Sequence, residues 1–224
     1  MAQQLTSPRL LPGHRYPMSL EEYRALEWFE GLRIEWVDGE AIVFMPPLWR
    51  HIQVTSFLVG LLHPFLDLFD LGGVYENMGT DMSGSRSIRL PDVVVVLKQH
   101  MDRMKREGLV GAADFIAEVR SWDSVTRDLR EKFLEYQAAR VPEYLMLEGR
   151  EGKTGFWFYR LDEHGLYQPV QPDALGRYHS QVLSGLWFDP CWFEQDVLPN
   201  PLMLLKEIAP DAWRRFAGLD EANS

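Results

Sequence analysis

Two carboxylates interrupt strongly apolar runs: Asp92, just before Val93-Val94-Val95-Val96-Leu97, and Glu118, inside Phe115-Ile116-Ala117-Glu118-Val119-Arg120. A charge in such surroundings needs a partner, so each marks either an ion pair or a group kept for chemistry. Side chains alternate along a strand, which places Ile116, Glu118 and Arg120 on one face. If the two strands are neighbours, a carboxylate pair and a guanidinium gather at one edge of the sheet. Hard divalent cations take oxygen ligands of this kind, and a bound ion can activate water and offset charge on a phosphoryl group. The Val119 carbonyl is a further candidate ligand.

The helix that follows offers a second cation. With Leu129 at the centre of its inward face, Val125, Phe133 and Tyr136 lie near the same line, and Lys132 sits on the margin one turn after Asp128. A lysine there can lay its stem over apolar surface and send its ammonium to the strand edge. Each residue also has a plainer reading. Asp92 could shape a turn before a buried strand, Glu118 and Arg120 could form a structural ion pair, and Asp128 with Lys132 could be a solvated i, i+4 pair. Glu35 faces either solvent or the site, and His51 either packs at a helix start or orients a carboxylate or phosphate. The rings of Trp28, Trp36, Trp49, Trp157, Trp187 and Trp192 could stack on bases, although aromatics at strand spacing usually belong to the core. The remaining histidines show no metal-ligand spacing, and neither a nucleophile elbow nor a phosphate loop is present.

These residues must be held by an α/β (α+β) architecture. Ser19-Leu20-Glu21-Glu22 reads as a capping box opening a helix from Leu20 to about Phe29. Ile34, Trp36, Ile42 and Phe44 alternate around Asp38-Gly39, the mark of a tight hairpin. Pro46-Pro47 precedes a long apolar helix, about Trp49 to Phe69, bent or divided at Pro64 and ended by Gly72-Gly73. The four valines from Val93 suggest a strand covered on both faces. Residues 98–111 read as an exposed excursion. A helix of about Val125 to Arg140 then leads to a strand pair over Glu143–Leu147 and Gly155–Leu161. The whole predicts one mixed sheet flanked by helices.

At this point the sequence resembles the Uma-two family of endonucleases, with the PD-(D/E)xK restriction-endonuclease-like fold. The resemblance runs from about Met18 to Phe193. It is carried by Ile34-Glu35-Trp36-Val37-Asp38-Gly39-Glu40, a methionine-proline segment leading to His51, and Pro91-Asp92 before the valines. Glu118-Val119-Arg120-Ser121, then Asp128, Lys132 and Tyr136 at helical spacing, and Val141-Pro142-Glu143-Tyr144 complete it. The resemblance implies Asp92 and Glu118 as ligands of Mg2+ or Mn2+, Glu35 as an acidic contributor, and hydrolysis of nucleic-acid phosphodiester bonds, DNA first. Arg120 stands where the wider superfamily usually has lysine, so Lys132 is the candidate for a relocated lysine. Trp122 and Glu148 also depart from common family residues. The alternative is a catalytically inactive binding or assembly module, a homodimer through the aromatic strands or the tail helix.

The 224 residues, 46% hydrophobic and 25% charged, suit one ordinary globular domain. Residues 1–17 read as a flexible leader, 18–196 as the restriction-endonuclease-like domain and 197–224 as a helical tail. A formal charge of -10 excludes general adhesion to nucleic acid or anionic membrane while allowing a local basic cleft. The single Cys191 precludes an intramolecular disulfide and suits a reducing cytoplasm. Neither a signal peptide nor a membrane span is expected.

Overall fold

The Asp38-Gly39 turn does what its composition requires, because both residues hold positive φ (47° and 88°), the geometry of a two-residue hairpin that matches strand twist. The computed structural model describes residues 10–26, 32–82, 87–121 and 126–218, with the backbone alone over 126–129. In chain order it opens with β1 (Arg15–Pro17), α1 (Leu20–Arg24), β2 (Ile34–Val37) and β3 (Glu40–Val43). Next come α2 (Trp49–Leu68), β4 (Gly72–Glu76), β5 (Thr80–Asp81), β6 (Ser87–Arg89) and β7 (Val93–Leu97). After a 3-10 turn over Lys98–Arg103 follow β8 (Met104–Lys105), β9 (Gly108–Val110), β10 (Phe115–Arg120), α3 (Thr126–Ala138), β11 (Glu143–Glu148) and β12 (Phe156–Leu161). The chain closes with β13 (Tyr167–Pro169), β14 (Tyr178–His179), β15 (Trp187–Phe188), α4 (Pro201–Ile208) and α5 (Pro210–Phe216).

The fold is mixed α+β, but the strands do not form one sheet as expected. They divide into a six-stranded sheet, β13-β12-β11-β10-β7-β4, a seven-stranded sheet, β1-β3-β2-β6-β5-β9-β8, and the small β14–β15 pair. Only β10 and β11 run parallel in the six-stranded sheet, joined through α3 as a parallel pair needs a crossover. The valine strand is covered on both faces. Val93 and Val95 pack with Phe115, Ala117 and α2, whereas Val94 and Val96 pack with Ile116, Tyr136 and Tyr144. The excursion after β7 is part of the seven-stranded sheet, through β8 and β9.

Three boundaries differ from the sequence reading. Pro64 lies inside an undivided α2, because the neighbouring buried Leu61, Leu62, Phe65 and Leu66 tie both halves to the core. Gly72 and Gly73 do not end that helix; they begin β4, where a Cβ at Gly72 would lie 2.2 Å from the Val96 carbonyl oxygen. The capping-box helix is only five residues, with Ser19 Oγ accepting from Glu22 N as expected, and residues 27–31 lie outside the described residues. The leader and tail are also more engaged than expected. Leu10 is buried and β1 pairs with β3, so Arg15–Pro17 join the seven-stranded sheet and Leu10 packs in the small core beside it. The tail is two helices split before Pro210, and Leu204, Leu205, Ile208 and Ala212 join the core around α2. Among the described residues no helix is long and apolar enough to cross a membrane.

Candidate functional site

The condition for gathering the carboxylates is met, because β7 and β10 are antiparallel neighbours with Val93 opposite Ala117. One step beyond that ladder sets Asp92 across from Glu118, both on the α3 side of the sheet. Asp92 Oδ2 accepts a 2.7 Å hydrogen bond from the Val119 amide. The Arg120 carbonyl accepts from Gly149 N on the β11 side at 3.0 Å. Strand alternation therefore turns both main-chain groups of Val119 toward Asp92.

Asp92 is buried and faces two cationic or potentially cationic groups. Arg33 Nη2 lies 2.7 Å and His51 Nε2 3.3 Å from its Oδ1. Both are close charge contacts, and by strict geometry Oδ1 carries no hydrogen bond among the described residues. The same Arg33 Nη2 donates to the Leu90 carbonyl at 2.6 Å, and the guanidinium stands 5.6 Å from the centre of the Phe44 ring. Burial alone would push the Asp92 carboxyl up; Arg33 first, then His51 and Lys132, outweigh it and hold it well below the usual carboxylate range.

Lys132 reaches the site. Its Nζ donates to Glu118 Oε1 at 2.9 Å and lies 3.0 Å from Glu35 Oε1, and Tyr136 OH donates to the same Glu118 oxygen at 2.6 Å. The plainer reading of Lys132 as a solvated residue fails, since it is only 6% exposed. Burial would lower its pKa, but Glu118 and Glu35 raise it above the usual lysine value, so it stays an ammonium. Burial raises the Glu118 carboxyl; Lys132 opposes the shift, and Asp92 and Glu35 reinforce it.

Glu35 is fully buried rather than solvent-facing on its hairpin. Its Oε1 accepts from Leu90 N at 3.1 Å and its Oε2 from Arg89 Nη1 at 3.0 Å. Burial opposes its ionisation, yet Lys132, Arg89 and Arg33 bring its pKa down to about 2. Arg89, itself fully buried, also donates from Nε to Glu135 Oε2 at 2.7 Å and pairs through Nη2 with Glu135 Oε1. This chain of charges ties β2 and β6 of one sheet to α3, and α3 to β10 of the other.

Arg120 shares the strand face with Glu118 but is drawn elsewhere. Its Nη1 is 3.7 Å from Glu148 Oε2, its guanidinium stands 5.6 Å from the Trp157 ring centre, and its Nε is buried without a hydrogen bond. The alternative reading of a Glu118–Arg120 ion pair is not met: Glu118 pairs with Lys132 and Arg120 with Glu148. The Asp128 side chain, Trp28 and Trp122 lie outside the described residues. Trp187 and Trp192 are core and Trp36 Nε1 donates to the Met18 carbonyl, but Trp49 is 74% exposed at the start of α2. The sequence reading passed over Arg33, Arg89 and Glu135. Arg89 carried a usable signal, being a charge between Ile88 and Leu90, the same anomaly that marked Asp92; Arg33 and Glu135 carried none.

A groove of about 350 Å³ opens beside Asp92, lined by Arg33, His51, Thr55, Ser56, Asn77 and Glu76 among others. Its charges are one arginine and one glutamate, and Leu32, Pro47, Ile52 and Leu90 make much of the rest apolar, so it is not a basic trough. The donor set suits a hard divalent ion, which takes one or two carboxylates and keeps several waters. Asp92 Oδ1, buried without a hydrogen bond, has an unused lone pair. Both hydrogen bonds that described residues give Glu118 fall on Oε1. Among the described residues no cluster of three or more His, Cys, Asp or Glu could hold a metal, so main-chain oxygen, water or substrate phosphate would complete the shell.

Residues 20–191 match the family described as "Uma2: Putative restriction endonuclease". Among solved structures, the chain is similar to one titled a "putative nuclease belonging to DUF820" from Anabaena variabilis ATCC 29413. The two share 16% identity and a TM-score of 0.63, over 79% of this chain and 97% of that one. At that identity the likeness concerns the fold, which is restriction-endonuclease-like. No curated protein matches the chain.

Proposed function

The chain belongs to the Uma2 family, and we propose that it is a nuclease hydrolysing phosphodiester bonds of nucleic acid, DNA first, with Mg2+ or Mn2+ held by Asp92, Glu118 and the Val119 carbonyl. The observation that carries this reading is the meeting of Asp92, Glu118 and Lys132, from three separate parts of the chain, in one buried cluster beside a groove that Arg33 and His51 line. When bound, the ion would neutralise phosphoryl charge and lower the pKa of water.

The chain's own residues divide the remaining work. Lys132, kept cationic by Glu118 and Glu35, offsets charge on the phosphate rather than accepting a proton. Glu35 is a positioning residue that fixes Lys132, and His51 orients the Asp92 carboxylate from α2. Arg120, held on Glu148 and Trp157, would have to leave these partners to reach a phosphate, and Asp128 is a supporting acid one turn before Lys132. The protein acts in the cytoplasm, where a single free thiol is stable.

A second reading, an inactive binding or assembly module that forms homodimers, is favoured by one observation: both site carboxylates already contact an internal cation. One experiment separates the two. Mn2+ is titrated calorimetrically into the wild type and Glu118→Ala with a phosphorothioate-linked thymidine octamer present, followed by a cleavage screen over single-stranded, duplex and branched DNA and RNA. Metal binding lost in the variant, with metal-dependent cleavage by the wild type, supports the nuclease. Absence of Mn2+ binding by the wild type at millimolar metal supports the module.

A further inference from the structure

Resting on the nuclease reading, we propose that Arg33 is a substrate-responsive latch on the metal site: it occupies the Asp92 oxygen that a metal needs and yields it when a phosphodiester enters the adjoining groove. Three observations meet at this residue. Arg33 Nη2 stands 2.7 Å from Asp92 Oδ1, the carboxylate oxygen that carries no hydrogen bond. The same side chain lines the groove beside His51, Thr55, Ser56 and Asn77, so it borders both the carboxylate and the space a backbone phosphate would fill. One of its donors is also unused, because Arg33 Nε is buried with no hydrogen bond.

Local charge gives the direction of the effect. Asp92, Glu118 and Glu35 are paired inside the protein with Arg33, Lys132 and Arg89, the last shared with Glu135. A divalent cation at Asp92 Oδ1 meets Arg33 at close range, and like charges repel strongly in a partly desolvated site. A phosphodiester in the groove supplies negative charge and two non-bridging oxygens that the planar guanidinium fork can bridge. Metal and phosphate therefore bind with positive coupling, and linkage makes that coupling equal in both directions. Two of the buried atoms now without hydrogen bonds, Asp92 Oδ1 and Arg33 Nε, would gain partners in the doubly bound state. Such a site stays closed to metal until a nucleic-acid strand is in place.

Calorimetric titration of Mn2+ with and without the phosphorothioate-linked thymidine octamer tests this directly. In the wild type the octamer is expected to tighten Mn2+ binding at least tenfold. Arg33→Gln is expected to bind Mn2+ several-fold more tightly than the wild type in the absence of octamer, and to reduce the coupling to less than threefold. Wild-type Mn2+ binding that does not respond to the octamer overturns the latch while leaving the metal assignment intact. Coupling unchanged in Arg33→Gln also overturns it. Absence of Mn2+ binding even with the octamer overturns both proposals, as does full binding by Asp92→Asn in its presence. Should Arg33→Gln fail to fold, the wild-type comparison alone still decides.

Discussion

Lys132 is shared by two buried carboxylates, which makes its removal a sharper perturbation than the removal of either acid. Its Nζ is 2.9 Å from Glu118 Oε1 and 3.0 Å from Glu35 Oε1. At an effective dielectric of about 20, each contact is a gross attraction of roughly 5 kcal/mol, most of which offsets the cost of desolvating the charges. Lys132→Met leaves Glu118 with no cation at hydrogen-bond distance among the described residues, while Glu35 keeps Arg89. Breaking a buried pair from one side costs about 3–5 kcal/mol, and that loss is expected here in urea unfolding at pH 7. Glu118→Gln should cost only about 1 kcal/mol, because Lys132 retains Glu35 and Tyr136 retains an acceptor. The sign of the combination is the stringent part: in the Lys132→Met background, Glu118→Gln removes the stranded charge and should restore stability by at least about 1 kcal/mol. Additive losses in the double variant, or a Lys132→Met loss below about 1 kcal/mol, would refute the buried-network reasoning.

Three further outcomes follow from the same geometry. Asp92→Ala should abolish Mn2+ binding in the presence of the octamer, and undiminished binding there removes Asp92 from the ligand set. The Glu35 carboxyl is depressed to about 2 in the fold from 4.5, so its contribution, about 3 kcal/mol, is complete above pH 4.5 and is lost as pH falls toward 2. Urea midpoints between pH 2.5 and 6 should show a steeper acid loss for the wild type than for Glu35→Gln, and parallel slopes would contradict the shift. Gly149→Ala would bring a Cβ to 2.5 Å from Val119 Cγ1 and 2.6 Å from the Arg120 carbonyl oxygen. The β10 edge must then shift, and a loss of about 1–3 kcal/mol should appear as a lower melting temperature; an unchanged melt would mean that the strand end yields freely.

The candidate site was legible where a residue violated its local surroundings. Asp92 and Glu118 stood out because a carboxylate beside four valines or within an apolar strand has no local partner, and the Lys132 stripe followed from helical spacing. The partners themselves were less visible. Arg33 meets Asp92 across 59 positions, and Arg89 meets Glu135 across 46, separations over which local periodicity carries no information. Arg120 shows the limit most plainly: alternation placed it correctly on the Glu118 face, yet its register partner Glu148 on β11 and the Trp157 ring decide where its charge goes.

By itself the sequence determined whatever is set within a turn or a few residues. The Asp38-Gly39 hairpin, the Ser19–Glu22 capping box, the span of α2 and the two-sided burial of the valine strand all follow from backbone preference and side-chain period. Only the tertiary structure decided that the strands form two main sheets, that residues 10–17 and the tail helices complete their cores, and that Arg33 and Lys132 divide the two carboxylates between them. Strand pairing and buried ion pairing depend on which distant surfaces exclude water together, and that choice belongs to the chain as a whole.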